Sequence, residues 1–376
     1  MSAPSWTIGI EEEYLMVDCD TGDLATKPMA GLMQACQKEL KDLVRPEFLQ
    51  SQIEVATTVC KDVGEAREQL AWMRKTVAGV GKEFNVSPIA ASTHPNAEWD
   101  KQEHTDAQRY HDFARDMQAV VRRLIISGMH VHVGIDDDDL RIDLMNQVSY
   151  FLPHLLALST SSAFWRGYDT GLKCYRLSIF DELPRTGLPE QFDSYSEYQK
   201  HVDALINVGL IKDASMMWWD IRPAVKFPTL EMRITDVCTT LDDAIAIAAL
   251  YQCLLRMLYR LRHNNQRWRT YRTLLINENR WRAQRYGIDE GLVDFGKGEL
   301  VAFDHLLEEL IDLLAEDAAA LNCLSELNSL RQILKRGTSS HRQIGIFETA
   351  KENGADDFEA SRAVSKWLIS ETVMGL

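Results

Sequence analysis

Thr7-Ile-Gly-Ile-Glu-Glu-Glu-Tyr14 is the stretch on which the reading of the chain turns. Ile8, Ile10 and Tyr14 fall on one side of a period-two pattern and Gly9, Glu11 and Glu13 on the other, the mark of a half-buried strand. On such a strand Glu11 and Glu13 share a face, their Cα atoms about 7 Å apart, and Glu12 faces away. Two carboxylates so placed repel unless a cation lies between them or one holds a proton. An acidic triplet alone is ordinarily a solvated edge, so its meaning depends on its company.

Three further segments alternate in the same way. Ile53, Val55 and Val59 oppose Gln52, Glu54 and Ala56. Met129, Val131, Val133 and Ile135 oppose His130, His132 and Gly134, and Leu230, Met232 and Ile234 oppose Glu231 and Arg233. The polar faces carry Glu, His, Gln and Arg rather than the Lys, Ser and Thr of a casually solvated sheet. If these strands share one sheet, their polar faces form a cleft of hard oxygen ligands, imidazole and guanidinium, a set that suits Mg²⁺ or Mn²⁺ bridging phosphates. His-x-His on a strand also reads as a zinc pair or as a hydrogen-bonded core pair. No HExxH supports a hydrolase, and no GxxxxGK[ST] or strand-following GxGxxG supplies a phosphate cradle.

Between the strands, residues 61–84, 241–262 and 300–335 read as helices, the second capped by Thr240 with Asp243 in its first turn and the third closed by Gly337. Residues 166–189, with Gly167, Gly171, Pro184 and Gly187, read as a long loop, and loops of that length are usually functional. Strands with helices between and after them imply an α+β fold, one antiparallel sheet packed on helices. No Pro/Gly/Ser-rich linker or repeat divides the 376 residues, which points to a single catalytic domain over residues 1–376.

The chain has 41 Lys and Arg against 56 Asp and Glu, a net charge of −15, which argues against nucleic acid and acidic membranes as partners. Seven scattered cysteines without a CxxC pair read as reduced thiols of a cytoplasmic protein, and no signal peptide is visible at the first residues. The most apolar run, residues 244–255, is short of the roughly 20 residues of a membrane span and reads as a core helix.

Thr7 to Tyr14, Gln52-Ile-Glu-Val-Ala-Thr57, Thr93-His-Pro95, Gly128-Met-His-Val-His-Val-Gly134, Trp165-Arg-Gly-Tyr-Asp-Thr-Gly171, Trp219-Asp-Ile-Arg222, Thr229-Leu-Glu-Met-Arg-Ile-Thr-Asp236 and Asn277-Glu-Asn-Arg-Trp-Arg-Ala-Gln-Arg-Tyr-Gly287 together resemble the carboxylate-amine ligase family, also called glutamate-cysteine ligase type 2. The resemblance runs through nearly the whole chain. It implies a glutamine synthetase-like fold, in which a curved antiparallel sheet forms a funnel around metals. Carried over position by position, it implies one metal site of Glu11, His130 and Glu231 at the ATP phosphates and another of Glu13, Glu47 and Glu54 nearer the transferring phosphoryl group. Arg233 and Arg222 would neutralise the phosphate. Arg166, Tyr168, Asp169 and Arg176 would grip substrate carboxylate and ammonium groups, with His132 beside them; alternatively Arg176 pins the loop and His132 stands behind the ligands.

The implied reaction joins L-glutamate to L-cysteine with ATP and Mg²⁺ (or Mn²⁺), through an acyl phosphate that the amine attacks. It needs no protein nucleophile, so the Cys174 thiol is not expected to act. Ser92, Lys173 and Cys174 depart from the usual family residues, which leaves loop-mediated substrate choice open. Alternatives are another amine acceptor, a guanidino or carboxylate kinase, or an inactive nucleotide-binding regulator. Partners would be small molecules, amino acids and ATP, and the resemblance is compatible with a homodimer.

Overall fold

The computed structural model describes residues 3–25 and 31–376. Seven strands of these residues join one antiparallel sheet: β1 (Ile8–Asp18), β2 (Val44–Pro46), β3 (Gln52–Ala56), β4 (Val86–Ile89), β5 (Met129–Gly134), β6 (Ile221–Pro223) and β7 (Thr229–Met232). Their order is β6-β7-β5-β1-β3-β2, with β4 alongside the end of β1. The length of β1 explains this branching. Its first half pairs with β5 through Ile8 to Glu12, its middle with β3 through Glu11 to Leu15, and its end with β4 through Leu15 to Asp18.

The four alternating segments read from the sequence are therefore β1, β3, β5 and β7, and all lie in one sheet. The ends of all four differ from the reading: β1 runs on to Asp18 and β5 stops at Gly134, before Ile135. β3 stops at Ala56 and leaves Val59 70% exposed, and β7 stops at Met232, where the Arg233 N–H turns to donate to Asp220 O.

The apolar side of the sheet is the core. Ile8, Ile10, Tyr14, Met129, Val131, Val133, Leu230 and Met232 pack with α1 (Val63–Lys82) and a later helix, Leu241–His263. β1 serves a second core as well. Beyond Glu13 its other face turns apolar, and Leu15 and Val17 pack with Ile89, Phe164, Trp165, Val364 and Leu368. The acidic pair thus lies between water and a second hydrophobic cluster.

The loop expected over residues 166–189 is partly ordered structure. Phe164–Trp165 and Tyr168–Asp169 form a tight hairpin, α2 (Arg176–Phe180) follows, and Thr186–Gly187 pairs with Trp218–Trp219. The hairpin turn is Arg166-Gly167, both at positive φ (53° and 85°), as a two-residue turn between twisted strands demands.

The core helix, α3 (Leu241–His263), has 23 residues, longer than the apolar run first read. By length and composition it is long and apolar enough to cross a membrane, yet 78% of its most apolar 18-residue window is buried inside the fold. Its Tyr251 hydroxyl donates to Leu230 O on the back of β7. Leu250, Leu254 and Leu258 are fully buried, each worth about 2–5 kcal/mol against truncation to alanine. Thr240 is its N-cap residue, but the hydroxyl makes no capping bond; Asp242 and Asp243 instead meet Arg67 and Arg336.

After α3 the chain forms α4 (Thr273–Tyr286) and then the region read as one helix over 300–335. That region is a strand, Glu299–Val301, followed by α5 (Phe303–Ala320) and α6 (Leu324–Arg336), broken where Asn322 takes positive φ. Gly337, at φ 82°, does close α6. All seven cysteines are free thiols.

Candidate active site

The sheet register sets the site. Across β1 and β5, Glu11 faces His130; across β1 and β3, Glu13 faces Glu54; across β7 and β5, Glu231 faces His132; and across β6 and β7, Arg222 faces Glu231. Because side chains alternate, all of these lie on the one sheet face that the apolar core does not occupy.

Glu13, Glu47 and Glu54 form the first cluster, each offering an oxygen within 4.8 Å of the others. Glu47 reaches it from the turn between β2 and β3, where its Oε2 also accepts from the Phe48 N–H. Glu13 Oε2 accepts from the Gly128 N–H at 2.8 Å. Burial and the neighbouring charge of Glu47 push the Glu13 carboxyl up to about 8, against the pull of Arg176, Arg233 and the Gly128 amide. Burial and then Glu47, Glu11 and Glu13 push Glu54 well above the carboxylate range. Without a cation, this cluster keeps protons at neutral pH.

The second cluster is Glu11, His132 and Glu231, again with donor atoms within 4.8 Å. It differs by one residue from the set expected at the sequence level, which had His130. By register His132 is opposite Glu231 and His130 is opposite Glu11, so both imidazoles border this cluster. His130 stands beside the cluster, its Nδ1 3.2 Å from Glu11 Oε2 and 3.4 Å from Arg233 Nη1. Burial, helped by the Arg233 charge, pushes His130 down to about 4. At His132 burial also acts downward, but the Glu11 carboxylate, 3.6 Å from Nε2, and the charge of Glu231 outweigh it and raise the imidazole. Burial opposes ionisation of Glu11, yet His130 and His132 hold it well below the carboxylate range; at Glu231 the same burial is overcome by Arg233 and Arg222. One half of the site is thus ionised and the other protonated.

Three arginines frame the clusters. Arg222 makes a paired contact with Glu231 and donates to the Ser215 and Met217 carbonyls. Arg233 Nη1 also donates to Glu231, while its buried Nε has no partner. Arg176 is buried and donates to the Ile234 and Arg233 carbonyls, tying α2 to the end of β7, and it lies near enough to Glu13 to influence its charge. Of the two roles considered for Arg176, the hydrogen bonds are those of a residue that pins the loop. Arg166, Tyr168 and Asp169 are elsewhere, exposed on the hairpin tip, where Asp169 accepts from the Gly171 N–H. That hairpin is anchored to the 93–95 segment by Thr93 Oγ1 donating to Phe164 O and Gly167 N–H donating to Pro95 O.

The model of the family described as Glutamate-cysteine ligase family 2 (GCS2) matches residues 7–360. The chain belongs to this family. Two of its relatives carry the name "Putative glutamate--cysteine ligase 2": one of Rhodospirillum rubrum is 58% identical over 380 residues, spanning 100% of this chain and 98% of its own, and one of Jannaschia sp. is 52% identical over 366 residues, spanning 97% and 96%. Among solved structures, glutamate–cysteine ligase from Francisella tularensis in complex with AMP is similar over 98% of this chain and 90% of that one, with a TM-score of 0.66 and 17% identity. A bifunctional glutathione synthetase from Pasteurella multocida is similar over 96% of this chain and 52% of that one, with a TM-score of 0.69 and 15% identity. At these identities the likeness shows the shared α+β fold.

Sequence reasoning missed several residues of this glutamate-cysteine ligase family 2 chain. Glu12, on the far side of β1, is fully buried against Arg74, which grips it with Nε at 2.8 Å and Nη2 at 2.6 Å and donates also to the Thr239 and Cys238 carbonyls. The signal was there: a strand carboxylate on an apolar face needs a buried cation. A Cβ at Gly128 would lie 2.5 Å from Arg176 Nη2, so any larger residue there must displace that guanidinium. Asp236 is fully buried and accepts from the Ser161 amide and Ser162 hydroxyl, and the Cys174 thiol points at it from 3.3 Å. Burial and the Asp236 charge push that thiol well up, which disfavours a thiolate.

The donor set of both clusters fits divalent cations. The carboxylate oxygens are hard ligands, and the buried His132 Nε2 has no hydrogen-bond partner, as an atom awaiting a cation would. Three carboxyl groups within 4.8 Å, two of them driven to hold protons, are the arrangement that a cation relieves.

Proposed function

We propose that the chain is an ATP- and Mg²⁺-dependent carboxylate-amine ligase that joins L-glutamate to L-cysteine, giving γ-glutamylcysteine, ADP and phosphate. The observation that carries the reading is the convergence of two carboxylate-rich clusters, Glu11-His132-Glu231 and Glu13-Glu47-Glu54, on one sheet face beside Arg222 and Arg233, in a chain of this family. The AMP held by the Francisella tularensis ligase supports a nucleotide as the bound substrate.

A carboxylate resists attack by an amine because its oxygen is a poor leaving group. Transfer of the ATP γ-phosphoryl to that oxygen makes it a good one and releases ADP. The amine then attacks the acyl carbon, inorganic phosphate leaves with the C–O electron pair, and the amine proton passes to solvent. In this chain the two clusters would hold divalent cations, Mg²⁺ or Mn²⁺, which supply charge neutralisation at the phosphates. Arg233, with an Nε that has no partner, would offset charge on the transferring group, while Arg222 grips Glu231. The exposed hairpin with Arg166, Tyr168 and Asp169 is the candidate element for gripping the amino acids.

The test is to incubate the purified protein with ATP, Mg²⁺, glutamate and a panel of amines that includes cysteine, and to identify products by mass. The expected result is ADP formation that requires both acid and amine, with γ-glutamylcysteine as product. ADP with glutamate alone and a stable phosphorylated product would instead make the protein a kinase.

A further inference from the structure

We propose that Arg74 is a positioning residue for the two carboxylate clusters: by gripping Glu12 on the core side of β1, it fixes the register that sets Glu11 and Glu13 in their places on the other side. This role rests on the metal-dependent ligase reading above, which gives those places their meaning.

Alternation alone does not settle where β1 sits. Ile8, Ile10, Glu12, Tyr14 and Met16 line its core face, and all are buried. A shift of β1 by two residues would keep its core face turned to the core. It would bring Glu13 opposite His130, where Glu11 stands, and Leu15 opposite Glu54, where Glu13 stands. The Glu13-Glu47-Glu54 trio would then lack one carboxylate. Apolar side chains resist such a shift only through their shapes. A single carboxylate among them resists it through charge, because Arg74 meets it in one register alone and a buried charge without its partner is strongly destabilising.

The contact has the geometry of a reference point. Glu12 on β1 and Arg74 on α1 are both fully buried. Arg74 Nε and Nη2 donate to the two Glu12 oxygens at 2.8 and 2.6 Å, a fork that fixes the direction of the carboxylate as well as its charge. The Tyr14 hydroxyl donates to the same carboxylate. The guanidinium also reaches past β1, Nη1 to Thr239 O and Nη2 to Cys238 O, both at 2.8 Å. Those carbonyls lie on the stretch that leaves β7 and, at Asp236, bridges to Gly128 beside β5. One side chain therefore ties β1, which carries Glu11 and Glu13, to the continuation of the strand that carries Glu231 and Arg233. Stability gives no reason for a charged pair at this point, since well-packed apolar side chains of similar volume serve a core as well or better.

The experiment uses the purified full chain. Glu12→Leu/Tyr14→Phe/Arg74→Met replaces the whole network by apolar groups, so that no buried charge is stranded as it would be in Glu12→Leu or Arg74→Met alone; Tyr14→Phe is the control that keeps the fork. For both and for wild type, the thermal midpoint is recorded, Mn²⁺ affinity is measured by electron paramagnetic resonance of the free ion, and kcat and KM are measured for ADP formation with ATP, Mg²⁺, glutamate and cysteine. The triple variant is expected to unfold within about 5 °C of wild type, to bind Mn²⁺ roughly 10-fold more weakly and to lose about 100-fold in kcat, while Tyr14→Phe turns over like wild type. A folded triple variant with wild-type kcat or wild-type Mn²⁺ affinity overturns the role of Arg74 and leaves the ligase reading intact. A triple variant that does not fold, or unfolds far below wild type, makes the network a stability element and overturns it too, as does a Tyr14→Phe loss equal to that of the triple variant. If wild type binds no Mn²⁺ and forms no ADP, the role of Arg74 and the ligase reading fall together.

Discussion

Arg222 holds Glu231 by a paired contact across β6 and β7, Nε to Oε2 at 2.9 Å and Nη2 to Oε1 at 3.3 Å. Its Nη1 is committed to two backbone carbonyls, those of Ser215 and Met217. A lysine offers one point charge and cannot reproduce this fork. Arg222→Lys is expected to lower the unfolding free energy by about 1–3 kcal/mol, and Arg222→Met by about 3–5 kcal/mol because the buried Glu231 charge loses a partner. Urea unfolding checks both. A lysine variant as stable as wild type would show that the fork geometry contributes nothing.

Glu13 and Glu231 are both offered as ligands, yet their glutamine variants are expected to differ in stability. Glu13 is driven by burial and Glu47 to keep its proton, so Glu13→Gln replaces one neutral group by another and the cation-free protein should unfold at the wild-type temperature or slightly higher. Glu231 is ionised and balances Arg233 and Arg222, so Glu231→Gln should lower the midpoint by several degrees. Both variants should lose ADP formation. Calorimetric unfolding beside an ADP assay measures this, and normal turnover in either variant would reject its assignment as a ligand.

Acid should destabilise the fold through two histidines outside the site. Burial pushes His94 and His154 down to about 4 from an ordinary value near 6.5. The unfolded chain therefore binds protons that the folded chain refuses. The stability tied to these neutral rings is complete above pH 6.5 and is lost as pH falls through the window from 6.5 to 4, by roughly 3 kcal/mol for each ring. His154 packs among Tyr150, Phe151 and Phe303, and its Nδ1 has no partner, so His154→Leu should flatten the fall. Unfolding free energies at pH 7, 6, 5 and 4 decide it; parallel curves for variant and wild type would contradict the assignment.

Gly128 is a test of how Arg176 acts. A methyl group at Gly128 would lie 2.5 Å from Arg176 Nη2, so Gly128→Ala must displace the guanidinium that holds the Arg233 and Ile234 carbonyls. The same substitution disturbs the amide that donates to Glu13. A stability loss of about 1–3 kcal/mol is expected from the overpacking, together with a fall in ADP formation larger than that loss would explain. Wild-type activity in a folded Gly128→Ala protein would remove Arg176 from any part in placing Arg233.

Much of the site face was legible because alternation is a local property of an extended chain. Glu11 with Glu13, Gln52 with Glu54, His130 with His132 and Glu231 with Arg233 each declare a shared face within three residues. The hairpin at Arg166-Gly167 and α2 were not legible, since two-residue strands and a five-residue helix carry too little periodicity to stand out from a glycine-containing loop. The break between α5 and α6 was hidden for a different reason: the Leu, Ala and Glu pattern continues across it, and only the positive φ of Asn322 marks it.

From its sequence alone this chain has strands whose one side is apolar and whose other side carries carboxylates, imidazoles and guanidinium groups, because covalent geometry forces neighbours to opposite faces. The tertiary structure decided which of those groups meet. Pairing register put His132 rather than His130 opposite Glu231, brought Glu47 from a turn to complete a trio with Glu13 and Glu54, and set Arg74 under Glu12 and Arg176 against Gly128. Register is a property of two strands at once, fixed by the fit of whole apolar faces against a common core, and no single segment contains it.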